Sequence, residues 1–173
     1  MTIGVSNIRY THIVTTFADG STLYADLTKL PLSSSIGRNP HLLNLIEEAV
    51  AGLNPKGQLI ELEYDMHRTI GYTDIVAIGQ IDSVFYARQS NDSGYTRFVK
   101  NHKSDPASFI SVVIARDKAG DYEIQDTWLG KMFPALPGEP DETATSKAFW
   151  QAHAVVYNGQ PLIASTITKT CPY

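Results

Sequence analysis

Between residues 82 and 128 the pattern of apolar and polar positions holds four strand-like runs joined by turn residues, the third rich in β-branched and aromatic side chains. The runs are DSVFYARQ, YTRFVKN, FISVVIAR and DYEIQDTW. Asn91-Asp92-Ser93-Gly94 separates the first two and Asp117-Lys118-Ala119-Gly120 the last two, both rich in residues that favour tight turns. Period two assigns faces. Tyr86 and Arg88 share one, and so do Tyr95, Arg97 and Val99, while Thr96, Phe98 and Lys100 point the other way. In the last run Tyr122, Ile124, Asp126 and Trp128 fall together, opposite Glu123, Gln125 and Thr127, which predicts a buried Trp128. Short Gly-containing turns favour antiparallel pairing, and the connections are too short for parallel crossovers.

The flanking sequence predicts fewer elements. Tyr10 to Phe17 and Thr22 to Leu27 flank Ala18-Asp19-Gly20-Ser21 as a hairpin. A serine-rich connector runs from Pro31 to Gly37. A helix follows over Pro40–Ala51, with Asn39 as N-cap, Pro40 at its first position and Gly52 ending it. Its apolar stripe is Leu42, Leu45, Ile46, Ala49 and Val50, with Glu47 and Glu48 outside. A second helix is expected over Leu59–Ile70, and Thr73–Ile78 is ambiguous. The three prolines of KMFPALPGEPDE predict an extended strap. A short helix containing Phe149 and Trp150 is expected within Thr145–Val156, and a strand over Leu162–Thr168. Together these predict an α+β protein of one domain over residues 1–173. An N-terminal hairpin and helices occupy 1–78, and a strap with C-terminal helix and strand 131–173. Residues 79–130 form a central antiparallel sheet of four or more strands, with helices packed mainly on one face.

Composition adds limits. The 173 residues are 43% hydrophobic and 18% charged, with a formal charge of −4. That suffices for a core and argues against coating nucleic acid by bulk charge. One cysteine, Cys171, precludes an intrachain disulfide framework and a multi-cysteine zinc site. Met1 is followed by TIGVSNIRY, without the marks of a signal peptide. A cytoplasmic protein with no membrane partner is expected, or a toxin domain delivered within a larger secreted protein.

The five histidines form no HxH or HExxH pattern, so no metal site or cofactor is implied. No Gly-rich phosphate loop and no GxSxG elbow occurs. What stands out is local basicity: between Arg88 and Lys103 lie Arg88, Arg97, Lys100 and Lys103 against Asp92, with His102 among them. Protection of sheet edges is an equally good account of such cations. His67-Arg68 forms a second candidate, with a plain surface pair as its bland account. Trp150 and His153, one helical turn apart, read as a packing aromatic and its polar neighbour.

The stretch Tyr95-Thr96-Arg97-Phe98-Val99-Lys100 and the hairpin from Ile110 to Trp128 resemble the barnase–EndoU–colicin–RelE-like ribonuclease and toxin group. The segments WLGKMFPALPGEP, SKAFWQAHAVVY and the terminal CPY also look like an uncharacterised bacterial family. The first resemblance covers about half the chain and implies a metal-independent endoribonuclease, with a bacterial toxin domain among its forms. RNA and a cognate antitoxin or toxin are the partners it implies. That chemistry needs a base, an acid and cations around the phosphorane. His67, Arg97, Lys100 and Tyr86 are the catalytic candidates. Arg88, Tyr95, Thr96 and His102 are the substrate-binding ones, since aromatics interleaved with cations hold single-stranded RNA. The chain departs from the group in being acidic and in lacking paired histidines. The alternative is a non-catalytic interaction, immunity or accessory protein, suggested by the acidic pI and the strap from Pro134 to Glu142.

Overall fold

A computed structural model describes residues 11–26, 28, 41–90 and 92–173. Contacts divide the chain into two compact units, Met1–Ile70 with Ser108–Lys131, and Gly71–Ala107 with Met132–Tyr173. The class is α+β, and the expected four-stranded meander does not form. Its first hairpin lies in the second unit and its last in the first, in separate sheets.

The first unit holds β1 (Thr11–Thr16), β2 (Thr22–Asp26), α1 (Leu42–Val50), β3 (Leu59–Asp65), β9 (Phe109–Arg116) and β10 (Tyr122–Leu129). They make a five-stranded sheet in the order β1-β2-β10-β9-β3. The Asp-Gly turn joins β1 to β2 as expected, with Gly20 at φ +88° and the Asp19 carboxylate accepting from Ser21 N–H at 2.9 Å. α1 buries Leu42, Ile46, Ala49 and Val50 of the expected stripe, half-buries Leu45, adds Leu43 to the core, and leaves Glu47 and Glu48 in solvent as expected. Gly52, at φ +80°, takes the left-handed position after its last turn. Asn39, Pro40, the Pro31–Gly37 connector, Tyr10 and Leu27 lie outside the described residues.

Two expectations fail in this unit. Residues 59–65 are a strand, paired antiparallel to β9 from Leu59 opposite Ala115 to Asp65 opposite Phe109. Helical spacing of Leu59, Leu62 and Met66 competes with the alternation of Ile60 and Leu62 against Glu61 and Glu63. The ladder to β9 decides it by satisfying the backbone. In β10 a bulge at Gln125 shifts the register between Ile124 and Asp126. The faces swap beyond it: Thr127 is buried with Tyr122 and Ile124, and Trp128 turns away and is only half-buried. The sheet is also mixed, because β10 pairs parallel with β2. These strands are remote in sequence, so no direct crossover joins them.

The second unit holds β4 (Gly71–Thr73), β5 (Ile75–Ala77), β6 (Ser83–Ala87), β7 (Thr96–Lys100), β8 (Asp105–Ala107), α2 (Ser146–Ala152) and β11 (His153–Val156). A four-stranded sheet runs β5-β11-β7-β6, with β11 parallel to β7, and β4 pairs with β8. Val76, Val99, Ala154 and Val156 pack together on one face. Phe85, Ala87 and Phe98 pack on the other. Among the described residues each unit holds one α-helix, and the expected packing of helices on one face of a single sheet gives way to this arrangement. The proline-rich strap is ordered: Tyr95 N–H donates to the Pro137 carbonyl at 3.1 Å and the fully buried Trp150 indole to Pro134 at 3.2 Å. The expected strand over Leu162–Thr168 reduces to isolated bridges and a 3₁₀ turn at Ala164–Thr166.

Candidate functional site

The register of β6 and β7 sorts the candidate residues. Tyr86 lies opposite Arg97, Phe85 opposite Phe98, and Ser83 opposite Lys100. Directly opposed residues share a face, so Tyr86 and Arg97 stand on one side of the sheet and Phe85, Phe98 and Lys100 on the other.

A cavity of about 390 Å³ lies on the Lys100 side, lined by Phe85, Lys100, Tyr157, Leu162 and the run 167–169. Phe85 stacks on Phe98 at 5.2 Å between ring centroids, and Tyr157 meets both edge-on at 5.4 and 5.7 Å. The Lys100 ammonium sits 5.2 Å from the Phe85 ring centre. The far wall comes from the C-terminal segment, stitched to the free edge of β6. Thr168 N–H donates to the Tyr86 carbonyl at 2.9 Å, and Tyr86 N–H to the Thr168 carbonyl at 2.7 Å. Because Thr168 pairs with Tyr86, its neighbours Ile167 and Lys169 turn to the Phe85 side. Ile167 is 51% exposed and Tyr157 37%. Neither lysine has an ion-pair partner among the described residues.

The opposite face is closed. One Arg97 Nη1 donates to the carbonyls of Trp150, at 3.1 Å, and Gln151, at the end of α2. Its guanidinium lies 5.8 Å from the Tyr86 ring centre, and the Tyr173 ring meets Tyr86 edge-on at 5.9 Å. Arg97 Nε and the Tyr173 hydroxyl are both buried without a hydrogen-bond partner. Burial raises the Tyr86 hydroxyl above its ordinary value and pushes that of Tyr173 up to about 12. Both are therefore protonated at neutral pH and neither is a base there. Arg97, one of the catalytic candidates, is occupied by the carbonyls at the end of α2.

The remaining candidates scatter. His67 belongs to the first unit, in a turn after β3 with φ +56°, its side chain 83% exposed and its ring 3.5 Å from the Asp65 carboxylate. Arg68 makes a two-pronged pair with Glu48 at 2.7 Å, as a surface pair would. Arg88 donates to the Asp92 carbonyl at 3.2 and 2.9 Å and braces the turn between β6 and β7. Thr96 is buried and accepts from Gln89 at 3.1 Å. His102 Nδ1 donates to the next residue's carbonyl at 2.7 Å. Tyr95 is tied to the strap by its backbone. Of the eight candidates, Lys100 alone lines the cavity. Alternation pairs Phe85 with Lys100 and could have found that wall. Leu162 and Ile167 fell within an expected strand but, like Tyr157 and Lys169, carried no signal as site residues, because they arrive from remote segments.

The class defined so far is a two-unit α+β protein with a lysine-flanked aromatic cavity in its second unit. No family model, curated protein or solved structure matches this chain. Among the described residues no cluster of His, Cys, Asp or Glu could hold a metal ion, and no helix is long and apolar enough to cross a membrane.

Proposed function

We propose that the second unit binds single-stranded RNA, holding a base against the aromatic wall of the cavity and phosphate on Lys100 and Lys169. The observation that carries this reading is a cavity lining that joins Phe85 and Tyr157 to two lysines and, among the described residues, contains no carboxylate. Stacking on an aromatic ring contributes about 1–3 kcal/mol per base and tolerates any sequence. Unpaired ammonium groups favour a polyanion in a chain whose formal charge is −4. Metal-independent cleavage is the stronger form of the proposal. The lining offers cations for a developing phosphorane but no imidazole or carboxylate to move a proton, so binding is the part the site supports best.

The test is fluorescence anisotropy with a labelled oligouridylate, titrated at several salt concentrations. Binding should weaken with salt, and the Lys100→Gln/Lys169→Gln variant should lose roughly 0.7 in log–log slope per lysine. An oligonucleotide that fails to bind at low salt, or that binds the variant with unchanged slope, overturns the reading. Incubation with total RNA in EDTA tests cleavage: fragments produced by the wild type and not by the variant make the unit a ribonuclease. A protein that co-purifies in stoichiometric amount would favour the interaction-protein alternative.

A further inference from the structure

The charge and size of the cavity narrow what part of an RNA it takes. Its volume, about 390 Å³, sits near the small end of the roughly 300–1,000 Å³ range of ligand sites. Surfaces that follow a strand use a groove with successive aromatics, spanning about 4–16 nucleotides. Here Phe85 and Tyr157 are the only rings in the lining among the described residues, and they touch each other at 5.4 Å between centroids. Phe85 is itself buried and stacked on Phe98, so Tyr157 is the ring left open, enough for one base.

The charge count points the same way. Lys100 and Lys169 bring two positive charges to one cavity, and no carboxylate pairs with either among the described residues. An internal nucleotide carries its two charges on separate phosphodiesters, one on either side of the base, so a single one in the cavity leaves one ammonium uncompensated. A phosphomonoester carries about −1.5 to −2 at neutral pH and compensates both. A lysine ammonium is a compact point charge on a flexible stem, so two of them can converge on one phosphate from opposite walls.

Resting on the RNA-binding reading, we infer that the cavity takes the phosphorylated end of the strand, its last nucleotide with a terminal phosphomonoester. The C-terminal segment is integral to this specificity. It supplies Lys169 and Ile167, and its backbone bonds to Tyr86 set the register that brings both to the Phe85 side.

The experiment compares three labelled oligouridylates of equal length, one with hydroxyl ends, one with a 5′-phosphate and one with a 3′-phosphate. Uridine 5′-monophosphate and inorganic phosphate serve as competitors. One phosphorylated oligonucleotide should bind about tenfold tighter than the hydroxyl-ended one, the worth of one charge-assisted hydrogen bond. Uridine monophosphate should compete more strongly than inorganic phosphate, because it also uses the Tyr157 ring. The advantage should vanish in Lys100→Gln/Lys169→Gln, whose melting temperature should match the wild type since both side chains are exposed. Equal binding of all three oligonucleotides overturns the end specificity while leaving RNA binding standing. A phosphate advantage that survives the double substitution overturns the assignment to this cavity. Failure of every oligonucleotide to bind removes the RNA reading itself.

Discussion

Arg97 holds two main-chain carbonyls where its position in a basic stretch suggests a phosphate. Hydrogen bonds from a charged donor contribute about 1.5–3 kcal/mol, and Arg97→Ala would also strip a partner from the end of α2. Chemical denaturation should show a loss of about that size, with RNA affinity unchanged; lost affinity at full stability would return Arg97 to the ligand site. Tyr173 is the converse case, a hydroxyl buried without a partner. Tyr173→Phe should be neutral or stabilising by up to about 1 kcal/mol, because it removes an unsatisfied group. Alkaline unfolding gives a second measure. The folded hydroxyl titrates at about 12 against an ordinary 10.0, so its pH-dependent contribution is whole below pH 10 and is lost as pH rises through 12. The phenylalanine variant should lack that part of the alkaline decline, and an identical decline in both proteins would show that Tyr173 is solvated.

At the scale of elements, the strap and the turn before β7 constrain one another. A Cβ on Gly94 would fall 2.8 Å from the Pro137 carbonyl oxygen and 2.9 Å from Leu136 Cβ. Gly94→Ala should therefore cost about 1–3 kcal/mol through overpacking, read as a lower urea midpoint; a wild-type midpoint would mean that the strap does not lie against the turn. The two tryptophans separate along similar lines. Trp150 is 1% exposed, boxed by Phe133 and Phe149 at 5.9 and 4.9 Å between centroids. Trp150→Ala should cost about 3–5 kcal/mol, and Trp128→Ala clearly less, since the bulge at Gln125 turns Trp128 off the core face. Equal losses would restore the unbulged alternation. The amphipathic stripe of α1 was legible because burial selects it directly. The bulge was not, because one extra residue leaves no mark on an alternating sequence.

For the whole molecule, the division into units follows no simple cut of the chain. Residues Ser108–Lys131 belong with Met1–Ile70 although they lie within the span that otherwise forms the second unit. A fragment covering residues 71–173 would carry β9 and β10 without β2, β3 and α1. Ile110, Val112, Ile114, Tyr122 and Ile124, each at most 2% exposed in the intact protein, would lose their partners. That fragment should express as insoluble protein, or show exposed apolar surface by dye binding. Replacing 108–131 by a short Gly-Ser linker should recover solubility. A soluble, dye-silent fragment 71–173 would show that the hairpin does not depend on the first unit.

By itself the sequence determined what rests on neighbours along the chain: the register of α1, the Asp-Gly turn after β1, the faces of β6 and β7, and the ordered strap. Each follows from local sterics or from a period that burial imposes. Tertiary structure alone decided which strands share a sheet, that residues 59–65 extend against β9, and that β2 and β11 enter parallel pairs. Those choices rest on pairing between remote segments, where a ladder of backbone hydrogen bonds outweighs an intrinsic preference of about 1 kcal/mol or less per residue. The cavity divides the same way. Lys100 and Phe85 share a face by alternation. Tyr157, Ile167 and Lys169 join them only because the C-terminal segment docks on β6 with Thr168 opposite Tyr86.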